Sequence, residues 1–288
     1  NQSCSEIEDL CKSMSSRGVR KYLSAHLSDL DKVRGEFPKA LLLSADPAQL
    51  VLESLGKFYL QGKKAFTKDS PMIPARKTSI FILECFLLMI GMNPDGGAVH
   101  IKPSVKAEAE AAAMAWRKRL VAEGGLDQAC EADARGLLMF VACFGIPAAF
   151  KREDMRDLVI NANAKEMRDA LRNSDALMDK ILEVVDDLLK SKKEVDAVDI
   201  VYTFGLEERY NPQAILVTFL RESKESGKML MKILQGSATA NIEAKRKQLS
   251  SLTALVKCLK KHNVDASKLI PGWQIRDSIA NLERDIAN

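Results

Sequence analysis

Apolar residues recur along most of this chain at the three- and four-residue spacing of an amphipathic helix. The clearest start is Asp46-Pro47-Ala48-Gln49, because an aspartate N-cap precedes a proline at N1 and a glutamine at N3. No alternating β-branched run bounded by turn residues indicates a strand. The spacing predicts an all-α protein, with helices over roughly 46–59, 74–90, 103–123, 126–144, 151–161, 166–172, 174–189, 194–204, from 212, 238–262 and 271–282.

Three of these apolar segments run into a single glycine followed by one more apolar residue, at Gly91, Gly145 and Gly205. This pattern predicts Schellman helix ends, in which glycine at C′ adopts the left-handed conformation. The glycines lie 54 and 60 residues apart (91 to 145 and 145 to 205), which is longer than a two-helix solenoid repeat. We therefore expect an elongated, irregular helical stack, α-solenoid-like or a helix bundle. It would form one domain over residues 1–288, and the loop at 92–103 is the candidate place for a subdivision.

Composition agrees with helix packing and excludes several functional classes. Hydrophobic residues make up 47% of the chain and aromatic residues only 6%, so the core must consist of aliphatic side chains and methionine. The 43 basic and 39 acidic residues nearly balance, which argues against a protein wrapped around nucleic acid. No apolar run reaches the length of a membrane span, about 18 residues. Because the chain begins at Asn1 without methionine, we expect it to be a piece of a longer protein.

The sequence shows no catalytic, cofactor-binding or metal-binding pattern. Its three histidines are scattered, and its six cysteines form no C-x-x-C pair, so no zinc site is predicted and a reducing compartment is indicated. Paired carboxylates such as Asp186-Asp187 lie on polar helix faces, where general acid–base catalysis is not favoured. Phosphate-binding and nucleophile motifs are absent. We therefore predict a protein that is not an enzyme.

Surface chemistry suggests where a partner would bind. The loop from Gly62 to Pro74 presents the candidate protein-binding residues Lys63, Lys64, Phe66 and Lys68. One basic cluster directly follows Trp116, and its residues Arg117 and Arg119 are further candidates for protein binding. A second basic cluster lies at 245–247. For both clusters, a solvated helix face is favoured over contact with nucleic acid. The apolar seam at 240–261 would serve core packing or a partner helix, and core packing is favoured.

Several short motifs, taken together and in order, resemble the FRIGIDA family of plant flowering-time proteins. They are LGKFYLQG at 55–62, AFTK at 65–68, AWRKRL at 115–120, DARGLL at 133–138, ACFGIP at 142–147, YTFG at 202–205 and PGWQI at 271–275. The resemblance implies a non-enzymatic nuclear scaffold that assembles a transcription-activating complex at a floral-repressor gene, with flowering delayed until vernalization. It also implies protein partners in that complex and self- or hetero-association through flanking coiled coils that this chain lacks. It supplies no catalytic or cofactor residues.

Within those motifs, the glycines and tryptophans are interpreted as determinants of the fold. Trp116 would bury its indole on an alanine-rich helix and leave Arg117 and Arg119 available outside. Gly136 would permit close approach of a neighbouring helix, and Trp273 would anchor a rigid turn. The alternative function is a direct nucleic-acid-binding module that uses Arg117, Lys118, Arg119 and the 245–247 cluster.

Overall fold

The computed structural model describes residues 5–62, 67–93, 99–233 and 236–288. Within these ranges the regular secondary structure is entirely helical, which confirms the predicted all-α class. The α-helices are α1 Glu6–Lys12, α2 Ser16–Ala25, α3 Leu30–Leu41, α4 Pro47–Leu55, α5 Ile73–Gly91, α6 Pro103–Ala122, α7 Glu131–Phe144, α8 Arg152–Ala162, α9 Arg168–Leu171, α10 Asp175–Lys190, α11 Glu194–Phe204, α12 Pro212–Ile233, α13 Ala238–Lys261, α14 Ala266–Leu269 and α15 Ile275–Ala287. Short 3₁₀ helices occupy Leu27–Asp29, Phe58–Leu60, Leu126–Gln128, Ala164–Met167 and Pro271–Trp273.

The chain divides into two compact units, Asn1–Val184 and Val185–Asn288. The division falls inside α10. Residues 94–98 of the loop at 92–103 lie outside the described residues, so a single domain with a subdivision near that loop stays a prediction.

Helix α5 is the centre of the first unit. Its apolar residues are distributed around the helix rather than along one face, and eleven of its nineteen residues are buried. It packs against α2, α3, α4, α7 and α9, while α7 also packs against α6 and α8. Arg20 of α2 donates hydrogen bonds to the carbonyl oxygens of Ser54 and Leu55, at 3.0 Å each. These are carbonyls at the C-terminal end of α4 that have no partner within their own helix, so Arg20 caps α4 from outside.

The second unit is organised around α13, which packs against α11, α12 and α15. Core packing, which the sequence favoured for the seam at 240–261, holds for its second half, where Leu252, Leu255, Cys258 and Leu259 are buried. The buried cluster consists of Val198, Leu216, Leu220, Leu252, Leu255, Cys258, Leu259, Ile270, Ile275 and Leu282.

The capping and turn residues in the sequence predict some helix ends correctly and others incorrectly. Asp46 caps α4 as predicted, since its Oδ1 accepts a hydrogen bond from the Gln49 amide at 3.0 Å. The helix nevertheless ends at Leu55, before Phe58 and Tyr59, because Gly56 takes φ +64°. The last helix begins at Ile275 rather than at Pro271, because Gln274 adopts the left-handed conformation and separates α15 from the 3₁₀ turn.

The glycine helix ends differ from one another. At Gly205 the backbone is left-handed, with φ +66° and ψ +44°, and the Leu206 amide donates to the Val201 carbonyl at 2.9 Å. That bond is the 6→1 contact of a Schellman motif, so the prediction at Gly205 is confirmed. Gly145 ends α7 with φ +105° and ψ +151°. This extended conformation with positive φ is almost restricted to glycine, but it is not the predicted left-handed one.

The Schellman prediction at Gly91 is wrong. Gly91 is the last residue of α5, and the C-cap is Met92, whose φ is −82°. A glycine is required at this position because the side chain of Asn173 lies against it. The Asn173 Nδ2 donates a hydrogen bond to the Leu87 carbonyl at 3.0 Å. A Cβ at Gly91 would lie 2.6 Å from Cγ of Asn173, so any larger residue would displace this carboxamide.

Candidate functional site

The predicted partner-binding loop is described only in part. Lys63, Lys64 and Phe66 lie outside the described residues, and Lys68 is exposed. At the distal end of the loop, the Ser70 hydroxyl accepts a hydrogen bond from the Met72 amide at 3.1 Å, just before α5 begins at Ile73. Partner binding by this loop therefore stays a prediction.

Trp116 stands at the centre of a buried polar network on α6 and α7. Its side chain is fully buried, as predicted, and its indole nitrogen Nε1 donates to Oδ1 of Asp133 at 2.6 Å. Arg119 donates to the same oxygen at 2.7 Å, and its exposed side-chain fraction is 11%, against 4% for Asp133. Arg119 also contacts Glu123 at 2.9 Å and the Tyr59 carbonyl at 2.9 Å. The network joins α6, α7 and the turn after α4.

Arg117 is also held by contacts within the protein. Its Nε lies 2.9 Å from Oδ2 of Asp154, and its guanidinium carbon lies 6.0 Å from the centre of the Phe150 ring. The same Asp154 oxygen accepts the Lys151 amide at 2.8 Å, at the start of α8. The expectation that Arg117 and Arg119 remain available outside is wrong, because the spacing that turns Trp116 inward brings both guanidinium groups to carboxylates of α7 and α8. Their binding role stays a prediction, while Lys118 between them is exposed.

Two further fold determinants from the sequence occupy protected positions. Gly136 is buried in α7. Trp273 is half-buried in the 3₁₀ turn Pro271–Trp273 and packs against the core cluster of the second unit. Both positions agree with a structural interpretation of these residues.

Sequence reasoning missed Asp133, although it lies within one of the motifs. The available signal was the pair Trp116 and Arg119, which lie three residues apart and so share a face of α6. An indole and a guanidinium that are both turned inward require a buried acceptor.

A second cluster of titratable groups joins α11 to the end of α13. The His262 Nε2 lies 2.6 Å from Oδ1 of Asp199, and the Lys261 ammonium lies 3.1 Å from the same oxygen. Burial alone would raise the pKa of Asp199, but the His262 hydrogen bond and the Lys261 charge hold it below its ordinary value. Cys258 lies one helical turn before His262, and burial raises the pKa of its thiol to about 12.

Asp199, Cys258 and His262 are the candidate metal ligands among the described residues, with donor atoms within 4.8 Å of one another. The chemistry does not favour an ion there. Lys261 already neutralises the carboxylate, the thiol holds its proton strongly, and the histidine is engaged with Asp199. The cluster is therefore best explained as an ion-pair and hydrogen-bond link between helices.

The described residues offer no nucleophile–base pair. His26 contacts the Tyr22 carbonyl at 2.7 Å, and none of the three histidines hydrogen-bonds a serine, threonine or cysteine in the described ranges. The buried thiols of Cys85 and Cys143 have pKa values well above the ordinary range because of burial, so they are poor nucleophiles. In the same ranges, no helix has an apolar stretch long enough to cross a bilayer.

The remaining basic cluster lies on α13. Lys245 pairs with Asp285 at 3.1 Å, whereas Arg246 and Lys247 are exposed. Facing it, the second half of α12 has no buried residue and carries the exposed Met229 and Ile233. The sequence analysis did not identify this surface. The sequence feature that indicates this surface is a set of lysines spaced by four residues and interleaved with methionine, namely Lys224, Lys228 and Lys232.

Comparison with known proteins gives one consistent result. The family model described as "Frigida-like protein" matches residues 1–288. Protein FRIGIDA of Arabidopsis thaliana is 45% identical over 278 residues, which cover 96% of this chain and 45% of that protein. FRIGIDA-like protein 3 of the same plant is 30% identical, over 97% of this chain and 50% of its own length. This chain thus spans about half the length of the curated relatives it matches.

The structural comparison agrees. A solved structure entitled "Crystal Structure of FRIGIDA Flowering-time Regulator" superposes with a TM-score of 0.84 at 46% sequence identity. The match covers 99% of this chain and 97% of the other.

Proposed function

Because the chain belongs to the Frigida-like family of flowering-time regulators, we propose that it is a nuclear scaffold domain of a transcription-activating complex. In this role it binds other proteins of the complex and promotes expression of a floral repressor, so that flowering is delayed until vernalization. It acts on nucleic acid only indirectly and carries out no chemistry of its own.

The end-to-end likeness to a solved flowering-time regulator is the observation that carries this proposal. The ionisable side chains also support the proposal. The clusters of ionisable groups at Asp133 and at Asp199 link helices to one another through the Arg119–Asp133 and His262–Asp199 contacts. Functional capacity is therefore expected on surfaces, as in a protein that binds proteins.

A chimera in plants tests the proposal. This chain replaces the matching half of Arabidopsis FRIGIDA, carries a fluorescent tag, and is expressed in a line without a functional FRIGIDA. We expect nuclear fluorescence, a raised transcript level of the floral repressor and late flowering that is reversed by cold treatment. Unchanged transcript and flowering time, with the full-length chimera accumulating in the nucleus, would refute the scaffold function.

A variant of the same chimera examines the loop. Lys63, Lys64 and Phe66 are changed to alanine together, and the control changes Lys32 and Lys39, two exposed lysines of α3, to alanine. If the loop binds a complex member, co-purification of that member falls with the first variant and not with the control. Equal capture by both variants, with equal melting temperatures, would exclude the loop as the binding site.

A further inference from the structure

The second half of α12 and the first half of α13 form a surface that contributes no buried residue to the core. We call the face between these two helix halves the hairpin groove. Helix α12 lines it with Lys224, Glu225, Gly227, Lys228, Met229, Met231 and Lys232, and α13 lines it with Asn241, Ala244, Lys245 and Gln248. Glu225 is the one carboxylate in this lining. Its volume is about 610 Å³. The buried residues of α12 end at Leu220, so the rest of the helix contributes nothing to the core.

The groove combines apolar side chains with open space. Met229 and Met231, both in the lining, are 61% and 37% exposed. A Cβ at Gly227 would have no atom within 4 Å, so the floor of the groove is unfilled between the helices. Exposed apolar side chains that are close together on a protein surface commonly mark a binding site.

The charge of this surface identifies the kind of partner. Residues 221–250 contain seven basic and three acidic residues, a net charge of +4 that equals the net charge of the whole chain. Lys224, Lys228 and Lys232 follow one another at one-turn spacing along α12, and within the described ranges no carboxylate lies in ion-pair distance of them. A row of unpaired cations beside methionines complements a partner that is both acidic and apolar.

We propose that the hairpin groove binds an acidic amphipathic helix of a partner protein. The apolar stripe of that helix packs on Met229, Met231 and the open floor at Gly227, and its acidic flank pairs with Lys224, Lys228 and Lys232. Methionine side chains adapt to differently shaped apolar residues, and a helix in a groove is a common mode of peptide recognition. This inference rests on the proposed function, since the partner helix would belong to a member of the complex.

Direct binding measurements test the inference on the complete chain. The probe is a fluorescein-labelled helical peptide of about 20 residues, with leucine at helical spacing and glutamate elsewhere; its counterpart replaces every glutamate by lysine. We expect the acidic peptide to bind in fluorescence anisotropy with an affinity that falls as salt rises, and the lysine peptide not to bind. Tighter binding of a duplex DNA probe, with displacement of the acidic peptide, would overturn the proposal in favour of a nucleic-acid surface.

Two variants locate the site, and a control matches their charge. Lys228→Glu with Lys232→Glu should weaken the acidic peptide about tenfold or more, whereas Lys32→Glu with Lys39→Glu changes net charge equally and should have little effect. Gly227→Phe should block the groove without altering the fold, because its side chain enters open space; circular dichroism and the melting temperature verify this. Equal weakening by both charge-reversed pairs, or no effect of Gly227→Phe in a folded protein, would overturn the proposal.

The plant chimera separates this inference from the proposed function. Late flowering that persists in the Lys228→Glu, Lys232→Glu chimera would refute the role of the hairpin groove and leave the scaffold function standing. Loss of late flowering in that chimera, but not in the Lys32→Glu, Lys39→Glu control, supports the groove.

Discussion

Replacing Asp133 by alanine should destabilise the first unit strongly. The fully buried Trp116 indole would lose the acceptor of its N–H group, and a buried unsatisfied donor costs about 1–3 kcal/mol. Arg119 would lose one charged hydrogen bond, worth about 1.5–3 kcal/mol, and would keep its contacts with Glu123 and the Tyr59 carbonyl. We therefore expect a loss of about 3–5 kcal/mol in the free energy of unfolding, as is typical when one member of a buried ion pair is removed.

The two tryptophans make this loss measurable for the first unit alone. Trp116 lies in the unit Asn1–Val184 and Trp273 in the unit Val185–Asn288. In a Trp273→Phe background, the change of indole fluorescence during urea unfolding reports on the first unit. The midpoint should shift to lower urea for Asp133→Ala, with an unchanged slope.

Two comparison variants make the measurement specific. Asp133→Asn keeps an oxygen acceptor for Trp116 but removes the negative charge opposite Arg119, so it should cost about half as much, roughly 1.5–3 kcal/mol. Asp179→Ala removes an exposed carboxylate of α10 and should change stability by less than about 0.5 kcal/mol. A loss below about 1 kcal/mol for Asp133→Ala would show that the network does not stabilise the fold, and the reasoning would be refuted.

Three further substitutions have defined expected outcomes. Gly91→Ala should cost about 1–3 kcal/mol by displacing the Asn173 carboxamide from the Leu87 carbonyl, and in a double-mutant cycle with Asn173→Ala the two losses should not add. Gly205→Ala places a side chain at φ +66° and should lower stability by about 1–2 kcal/mol in urea unfolding, without preventing folding. The pKa of Asp199 is held below its ordinary value of 3.8, so its stabilising contribution is present above that pH and is lost as the pH falls through the folded-state pKa. The difference in unfolding free energy between the wild type and Asp199→Asn should therefore narrow below about pH 4; a difference that grows as the pH falls through this range would contradict the assignment.

Helix positions were largely predictable because their signals are local. The Asp46 cap, the Schellman end at Gly205 and the start of α12 at Pro212 each depend on backbone preferences within a few residues. The helix boundaries that were predicted wrongly lie where the local sequence is compatible with either of two helix ends. Gly56 ends α4 although the apolar face continues to Tyr59, and Gln274 interrupts a helix that could have begun at Pro271.

The candidate sites were less predictable because they depend on contacts between distant segments. Arg119 in the sequence is a basic residue beside two others, but in the structure it meets Asp133, which lies 14 residues away on another helix. Gly91 stands out in the sequence, but the residue that requires a glycine there is Asn173, 82 residues further along the chain (91 to 173). The hairpin groove became visible only when the burial of α12 was seen to stop at Leu220.

The sequence by itself determined the helical class, most helix boundaries and the buried indole of Trp116, because hydrophobic spacing, capping and glycine conformation act over a few residues. Its motifs also indicated the family to which the chain belongs. The tertiary structure alone decided which charges are used within the protein and which remain on its surface. Arg117, Arg119 and Lys261 are paired, while Lys224, Lys228 and Lys232 have no carboxylate within ion-pair distance in the described ranges. Charge pairing depends on distances of a few ångströms between helices, and no local pattern in the sequence encodes those distances.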